Sequence, residues 1–434
     1  MKLLSDTNIH LENKKASRIF FAFIWILYAL VYMTKSCFSG ALASIVAEGS
    51  LTLTETSIIS AAFYIAYTPL QILGGIFADK YSPEKLILVG VIGSAVSNVV
   101  IFIDQSFWVM LIAWVFNAII QFALWPAVYK IMSSQLVRSD RSKMIFLMSF
   151  GSSGGLVLTY IISAFLPHWR WNFFISAVTL DILAVVLLVF CIILGPMMKK
   201  DKPPRVVEDV DPHDNPTMGL SPMKIFLISG FVALLPAVLM RTMVEQGAKT
   251  LSSTMLSQSY DQISPMLGNL LNIFIIVSGV AGTFLLKFLI FPKLIKNELV
   301  CYMVLLGITL PFTLVLRFVG ALPVGVVVFA LCMVSLFLSA THLLTQYFNM
   351  HFVKYGLNGT AAGILNAAAS FGLVLNFCVF GPTAESMGWP TVTTLWIIMV
   401  IIGMVGLIFG IKPSVKFIKN LQIHNEKQER NKKL

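Results

Sequence analysis

The chain has 434 residues, which in a soluble protein would make about three domains of ~150 residues each. It is, however, 57% hydrophobic and only 12% charged, against roughly 45–50% and 25% in ordinary globular domains, so its charges cannot cover a water-facing surface. A mean hydropathy of +0.85 with 33 Phe and 20 Met excludes disorder and a collagen-like repeat, and the net charge of +11 has to be traced to its positions before any polyanion partner is inferred.

A helix needs about 20 mostly apolar residues to cross the ~30 Å hydrocarbon core, and twelve such runs occur in chain order. The first, 19–46, follows a polar start, outlasts a signal-peptide core and carries Lys35. Ala41-Leu42-Ala43 imitates a cleavage site, but cleavage would leave an odd number of spans and is not expected. The second, 57–78, carries Tyr64 and Tyr67. The third is 86–103. The fourth, 107–129, places Asn117, Gln121 and Trp125 at steps of four on one face, either to line a polar cavity or to join helices. The fifth, 144–166, holds a Gly- and Ser-rich stretch at 151–155. The sixth, 172–195, carries Asp181, read as an interhelical hydrogen bond.

A Pro- and Lys-rich connection at 196–223 follows, too polar to bury a core, and is read as a cytoplasmic linker. Beyond it lie 225–248 with Arg241 and Glu245, then 265–291, 299–316, 322–348 with His342, 360–383 and 391–411. The expected organisation is a six-helix half at 1–195, the linker, a second six-helix half at 224–411 and a basic cytoplasmic tail at 412–434. All but five of the 31 Lys and Arg fall on the face that carries both termini. Three, Arg170, Lys249 and Arg317, are assigned to opposite loops, and Lys35 and Arg241 lie inside spans. The bias makes both termini cytoplasmic and accounts for the net charge as topology signal with some attraction to anionic lipid, leaving no need for nucleic acid. The five Cys (Cys37, Cys191, Cys301, Cys332, Cys378) are dispersed in apolar stretches, so neither a disulfide framework nor a metal site is expected.

The loop after the second run reads Gly75-Ile76-Phe77-Ala78-Asp79-Lys80-Tyr81-Ser82-Pro83-Glu84-Lys85. It resembles the signature loop of the major facilitator superfamily: a glycine, an aspartate four residues on, then basic residues. Gly75 is expected to admit a neighbouring helix, and Asp79 with Lys80 to act in gating. The second glycine of the motif is absent, and Leu286 stands at the aspartate position of the equivalent second-half loop. Tyr28-Ala29-Leu30-Val31-Tyr32-Met33-Thr34-Lys35, Gly359-Thr360-Ala361-Ala362-Gly363 and Gly388-Trp389 are similar to segments of the organophosphate:phosphate antiporter branch, which includes glycerol-phosphate and hexose-phosphate carriers and a hexose-phosphate sensor. The resemblance implies an all-α membrane protein of twelve helices in two halves, rocking about a central site.

A charge at mid-membrane costs about 2.5–3.5 kcal/mol on insertion scales, so Lys35 and Arg241 need a purpose or a partner. Each lies 17 residues past a cytoplasmic cation, Arg18 or Lys224, which would set them at one depth if both helices ran straight. They are therefore expected to bind an anion, Arg through two parallel hydrogen bonds and Lys as a point charge. The alternative is an internal pair of Arg241 with Glu245, one helical turn away. Against the branch it resembles, the chain has Thr34 in place of the first arginine and serine, at Ser152, in place of a histidine, so a carboxylate is as open as a phosphate ester. Tyr32, Thr34, Tyr64, Asn117, Gln121, Ser152 and His342 complete the candidate lining, with His342 either a proton carrier or a structural residue. No nucleotide loop, catalytic triad or cofactor motif is present. The expectation is a multi-pass, monomeric cell-membrane transporter of a small organic anion, coupled to a proton or to counter-transported phosphate. A non-transporting sensor on the same scaffold is the alternative; it should carry a partner-binding extension, where this tail is short and basic.

Overall fold

The computed structural model describes residues 9–137, 140, 144, 147–148, 150–200, 221–355 and 357–433, excepting the side chains at 9–10, 72, 79, 199–200, 354 and 421–433. Most of the linker at 196–223 and part of the start of the fifth run therefore lie outside the described residues.

Helix α1 (Lys14–Ala47) starts where the Asn13 carboxamide accepts from the N–H groups of Lys15 and Ala16, satisfying donors that a first turn leaves open. Helix α2 (Leu53–Lys80) opens on a reciprocal Thr52–Glu55 capping box. Helix α3 (Pro83–Ile103) opens on a proline, whose missing N–H costs nothing at that position. The fourth run is not one helix but two, α4 (Phe107–Ile120) and α5 (Leu124–Lys130). Helices α6 (Gly151–Phe165) and α7 (Trp171–Leu194) follow. The seventh run is also broken, into α8 (Pro222–Ile228) and α9 (Phe231–Thr250). The break falls at Gly230, whose φ of +79° suits glycine, and a Cβ there would meet the Gly410 carbonyl oxygen at 2.4 Å.

A short helix that no apolar run foretold, α10 (Ser252–Ser259), precedes α11 (Pro265–Leu285), α12 (Glu298–Leu316), α13 (Val324–Met350), α14 (Asn358–Leu375), α15 (Gly381–Met387) and α16 (Trp389–Lys433). The last continues as helix into the basic tail. Two-residue strands Ile9–His10 and Lys199–Lys200 pair antiparallel. Among the described residues, ten helices are long and apolar enough to cross a bilayer. The second run, helix α2 with Tyr64, Tyr67, Thr68 and Gln71 on it, and the fifth, the shorter α6, are the two runs outside those ten.

The chain forms two compact units, Met1–Arg205 with Thr250–Val277, and Val206–Lys249 with Ser278–Leu434. In the first, one core gathers Phe20, Ile24, Leu27, Ile87, Val91, Leu124, Ile131, Leu180 and Leu187, and a second gathers Phe38, Phe63, Trp114 and Phe173. Helices α1 and α6 touch along their backbones: a Cβ on Gly155 would stand 2.2 Å from the Ala29 carbonyl oxygen, the small-residue contact that apolar helices use in lipid. In the second unit, Gly282 of α11 meets the Leu336 carbonyl of α13 in the same manner, and Phe226, Phe231, Phe348 and Phe352 stack into one aromatic cluster. The outer faces expose Val89, Ile92, Val96, Ile182, Val185 and Ile192 among many others, apolar surface suited to lipid rather than water.

Candidate functional site

In the second unit, α9 sets Arg241, Glu245 and Lys249 at successive steps of four, on one helical face. Arg241 Nη1 donates to Glu245 Oε2 at 2.5 Å, and Lys249 Nζ donates to Glu245 Oε1 at 2.6 Å. Ser339 of α13 donates to the same Oε1 at 2.8 Å and accepts from Lys249 at 2.8 Å. The Tyr302 hydroxyl of α12 donates to the Ala237 carbonyl of α9 at 3.3 Å, one turn before Arg241. Arg241 and Glu245 are each 5% exposed, and the Lys249 side chain 13%. Two cations therefore share one carboxylate, leaving the cluster one net positive charge, and Arg241 Nε has no hydrogen-bond partner among the described residues. A buried guanidinium with an open donor beside surplus positive charge is equipped to take an anion.

Glu245 is thus an internal partner of Arg241, as the one-turn spacing allowed, but it is shared. Lys249 is not a loop cation: it sits in α9 and belongs to the cluster. Its place was readable as a further step of four beyond Glu245; a cation near the end of an apolar run instead looked like topology charge. Ser339 and Tyr302 come from other helices, and spacing along one run carries no signal for them. His342 lies on α13, exposed, with its Nε2 3.2 Å from Gln346 Nε2. The break at Gly230 removes the premise of the depth argument, since Arg241 is counted from Phe231 and not along a straight helix from Lys224.

In the first unit, Lys35 is half-buried on α1 and stands over rings of α2: 3.7 Å from the Tyr67 centroid, 5.3 Å from Phe63 and 5.9 Å from Tyr64. Among the described residues no carboxylate pairs with it. Cation–π contacts of this kind are worth about 0.5–2 kcal/mol each when desolvated, enough to hold the ammonium without neutralising it. Tyr32, Tyr64 and Ser152 are half-buried. Thr34 is fully buried, its hydroxyl donating to the Val31 carbonyl at 2.8 Å, so it turns away from any ligand.

Asn117 and Gln121 are buried and join helices: Gln121 Nε2 donates to Ser94 Oγ of α3 at 2.8 Å and to Asn117 Oδ1 at 2.7 Å. Trp125 does not share their face, because the turn between α4 and α5 intervenes; it is exposed and packs on Tyr28 at 4.9 Å. Asp181 makes no hydrogen bond among the described residues; it is exposed on α7 between exposed Val178, Ile182 and Val185.

Of the gating candidates, Gly75 has no heavy atom within 4 Å of an added Cβ, whereas its neighbour Gly74 would meet the Phe122 carbonyl oxygen at 2.6 Å. Gly74 is the close-approach glycine. Lys80 is exposed in the last turn of α2, and the Asp79 side chain lies outside the described residues. Lys130, unnoticed in the sequence, donates to the Ala78 carbonyl and so caps α2.

Ten helices long and apolar enough to cross a bilayer, among the described residues, define a multi-pass membrane protein. The chain belongs to the Major Facilitator Superfamily, whose model matches residues 24–376. Its relatives include the membrane sensor protein UhpC of Escherichia coli (strain K12), 26% identical over 34% of this chain and 34% of that protein. A probable hexose phosphate transport protein of Chlamydia trachomatis serovar D is 22% identical over 50% of this chain and 49% of that protein. The chain thus spans a third to a half of the length of these relatives. They lie in the branch that segments of the first and eleventh apolar runs resembled. In fold, the chain resembles a bacterial homolog of the human lysosomal transporter Spinster in an inward-facing and occupied conformation, with a TM-score of 0.68, 14% identity and coverage of 94% of this chain and 98% of that one.

Proposed function

We propose that the protein is a secondary transporter that carries a small organic anion, a phosphate ester or a carboxylate, across the cell membrane by alternating access. In this reading the chain crosses twelve times with both termini cytoplasmic, and it works as a monomer. The observation that carries the reading is the buried, net-positive Arg241–Glu245–Lys249 cluster. Charge of this kind inside an apolar helix is costly, and an anionic ligand gives it a purpose. Arg241 is the principal contact. In the first unit, Lys35, held by rings and with no carboxylate paired to it among the described residues, is an anion contact in its own right, and Tyr32, Tyr64 and Ser152 are half-buried polar groups of the same unit.

A thermal-shift panel on purified protein tests this: sugar phosphates, glycerol phosphate, inorganic phosphate, dicarboxylates and neutral sugars. A ligand at 100 times its Kd stabilises the folded state by about 2.7 kcal/mol. At least one anion raises the unfolding temperature while the neutral sugars do not; a shift with neutral sugars alone refutes the reading. A sensor of a phosphorylated metabolite is the second reading, favoured by the match to UhpC. It differs in that proteoliposomes bind the active anion without accumulating or exchanging it.

A further inference from the structure

The Glu245 carboxylate is bound on both oxygens by different donors. Oε2 receives Arg241, while Oε1 receives Lys249 and Ser339. Lys249 is fixed in turn by its bond to Ser339 and by the bare backbone of Gly279 on α11, where a Cβ would stand 2.6 Å from Ser339 Oγ and 3.2 Å from Lys249 Cε. We infer that Lys249 is a positioning residue that keeps Glu245 ionised when a substrate anion takes Arg241, so that anion binding at this site needs no proton.

The inference rests on the reading of Arg241 as the anion contact and goes beyond it to how the site is coupled. If Glu245 had Arg241 as its sole partner, an anion that captured the guanidinium would leave a bare carboxylate in a poorly solvated place, and desolvation would drive it to take up a proton. With Lys249 and Ser339 on the opposite oxygen, the carboxylate keeps a cation and two hydrogen bonds when Oε2 is vacated. The guanidinium can turn without a change in protonation. The other titratable groups that face Glu245 are Tyr302 from α12 and His342 from α13. The described segments of α11 and α14 contribute none. The hydroxyl of Tyr302 donates to the Ala237 carbonyl, and His342 pairs with Gln346, so neither stands in for Lys249 on Oε1.

Infrared spectroscopy of the carboxyl stretch reads the claim without any ligand, because Arg241→Gln imitates the guanidinium lost to substrate. Subtracting the spectrum of the matching variant that also carries Glu245→Gln isolates the Glu245 band. At pH 7 the Arg241→Gln protein is expected to keep Glu245 ionised, with less than about a tenth protonated, while Arg241→Gln with Lys249→Met raises the protonated fraction above about half. Arg241→Gln with Lys249→Arg restores the ionised form. A protonated band in Arg241→Gln alone overturns the inference, as does an ionised carboxylate in the Lys249→Met double variant. If that double variant does not fold, the single variant still decides, since protonation there refutes Lys249 as the keeper of the charge and an ionised band supports it. Failure of the anion reading would show separately, as transport by Arg241→Gln, and would leave these spectra unaltered.

Discussion

Replacing Glu245 by Gln removes the charge that holds the buried Arg241 and the part-buried Lys249 together and keeps the shape. In the parent, the carboxylate receives Arg241 at 2.5 Å, Lys249 at 2.6 Å and Ser339 at 2.8 Å. In the variant, one side-chain oxygen accepts what two accepted before, and Arg241 and Lys249 face each other across an uncharged amide. With the two head groups roughly 6 Å apart and an effective dielectric of about 20, their repulsion is about 3 kcal/mol. Breaking a buried pair by removing one partner costs about 3–5 kcal/mol in its own right, and the two figures overlap because both count the unbalanced cations. Glu245→Gln should therefore lose about 3–5 kcal/mol of stability, read as a large fall in the detergent unfolding temperature. Adding Lys249→Met to it should recover part of that loss, since one unpaired cation is gone, giving a coupling energy of more than about 1 kcal/mol in a double-mutant cycle. Sulfate should protect Glu245→Gln more than the parent by occupying the surplus positive charge. An unfolding temperature equal to the parent's, or strictly additive effects of the two substitutions, would refute the shared-carboxylate account.

Gly282→Ala should destabilise the second unit by about 1–3 kcal/mol or more, because its Cβ would overlap the Leu336 carbonyl and force α11 from α13; unchanged thermal unfolding would show that the two helices are not in backbone contact. Asp181→Leu should insert and express as well as the parent or better, by removing a charge that costs about 2.5–3.5 kcal/mol at the centre of a span. It should leave uptake intact; lost uptake at equal expression would give Asp181 a role that its exposed, apolar setting does not predict.

Length and hydropathy located the helices because crossing a bilayer demands a minimum apolar run, and each run contains helix in the structure. Breaks within runs were hidden for the same reason. Gly230 and the turn at 121–123 sit among apolar neighbours, and a hydropathy count is blind to φ. One such break separated Trp125 from Asn117 and Gln121, whose alignment assumed an unbroken helix. Arg241 and Glu245 were legible as a pair because one turn of helix brings them together. Lys249 was legible in the same terms and was missed because it ends an apolar run. Ser339 and Tyr302 reach the cluster from α13 and α12, a tertiary fact with no local signal. In the signature loop, motif spacing pointed to Gly75, but only the packing of α2 on the 121–123 turn identifies Gly74 as the glycine that needs to be bare.

Counterflow in proteoliposomes tests the central claim most directly, using the anion that gives the largest thermal shift. With Arg241→Gln, inserted to the same level as the parent and with the same helical content, uptake should fall at least about 100-fold, because the loss of a buried bidentate, charge-assisted contact is worth about 3 kcal/mol. Uptake by Arg241→Gln at the parent's rate would contradict the account and return the cluster to a purely structural role.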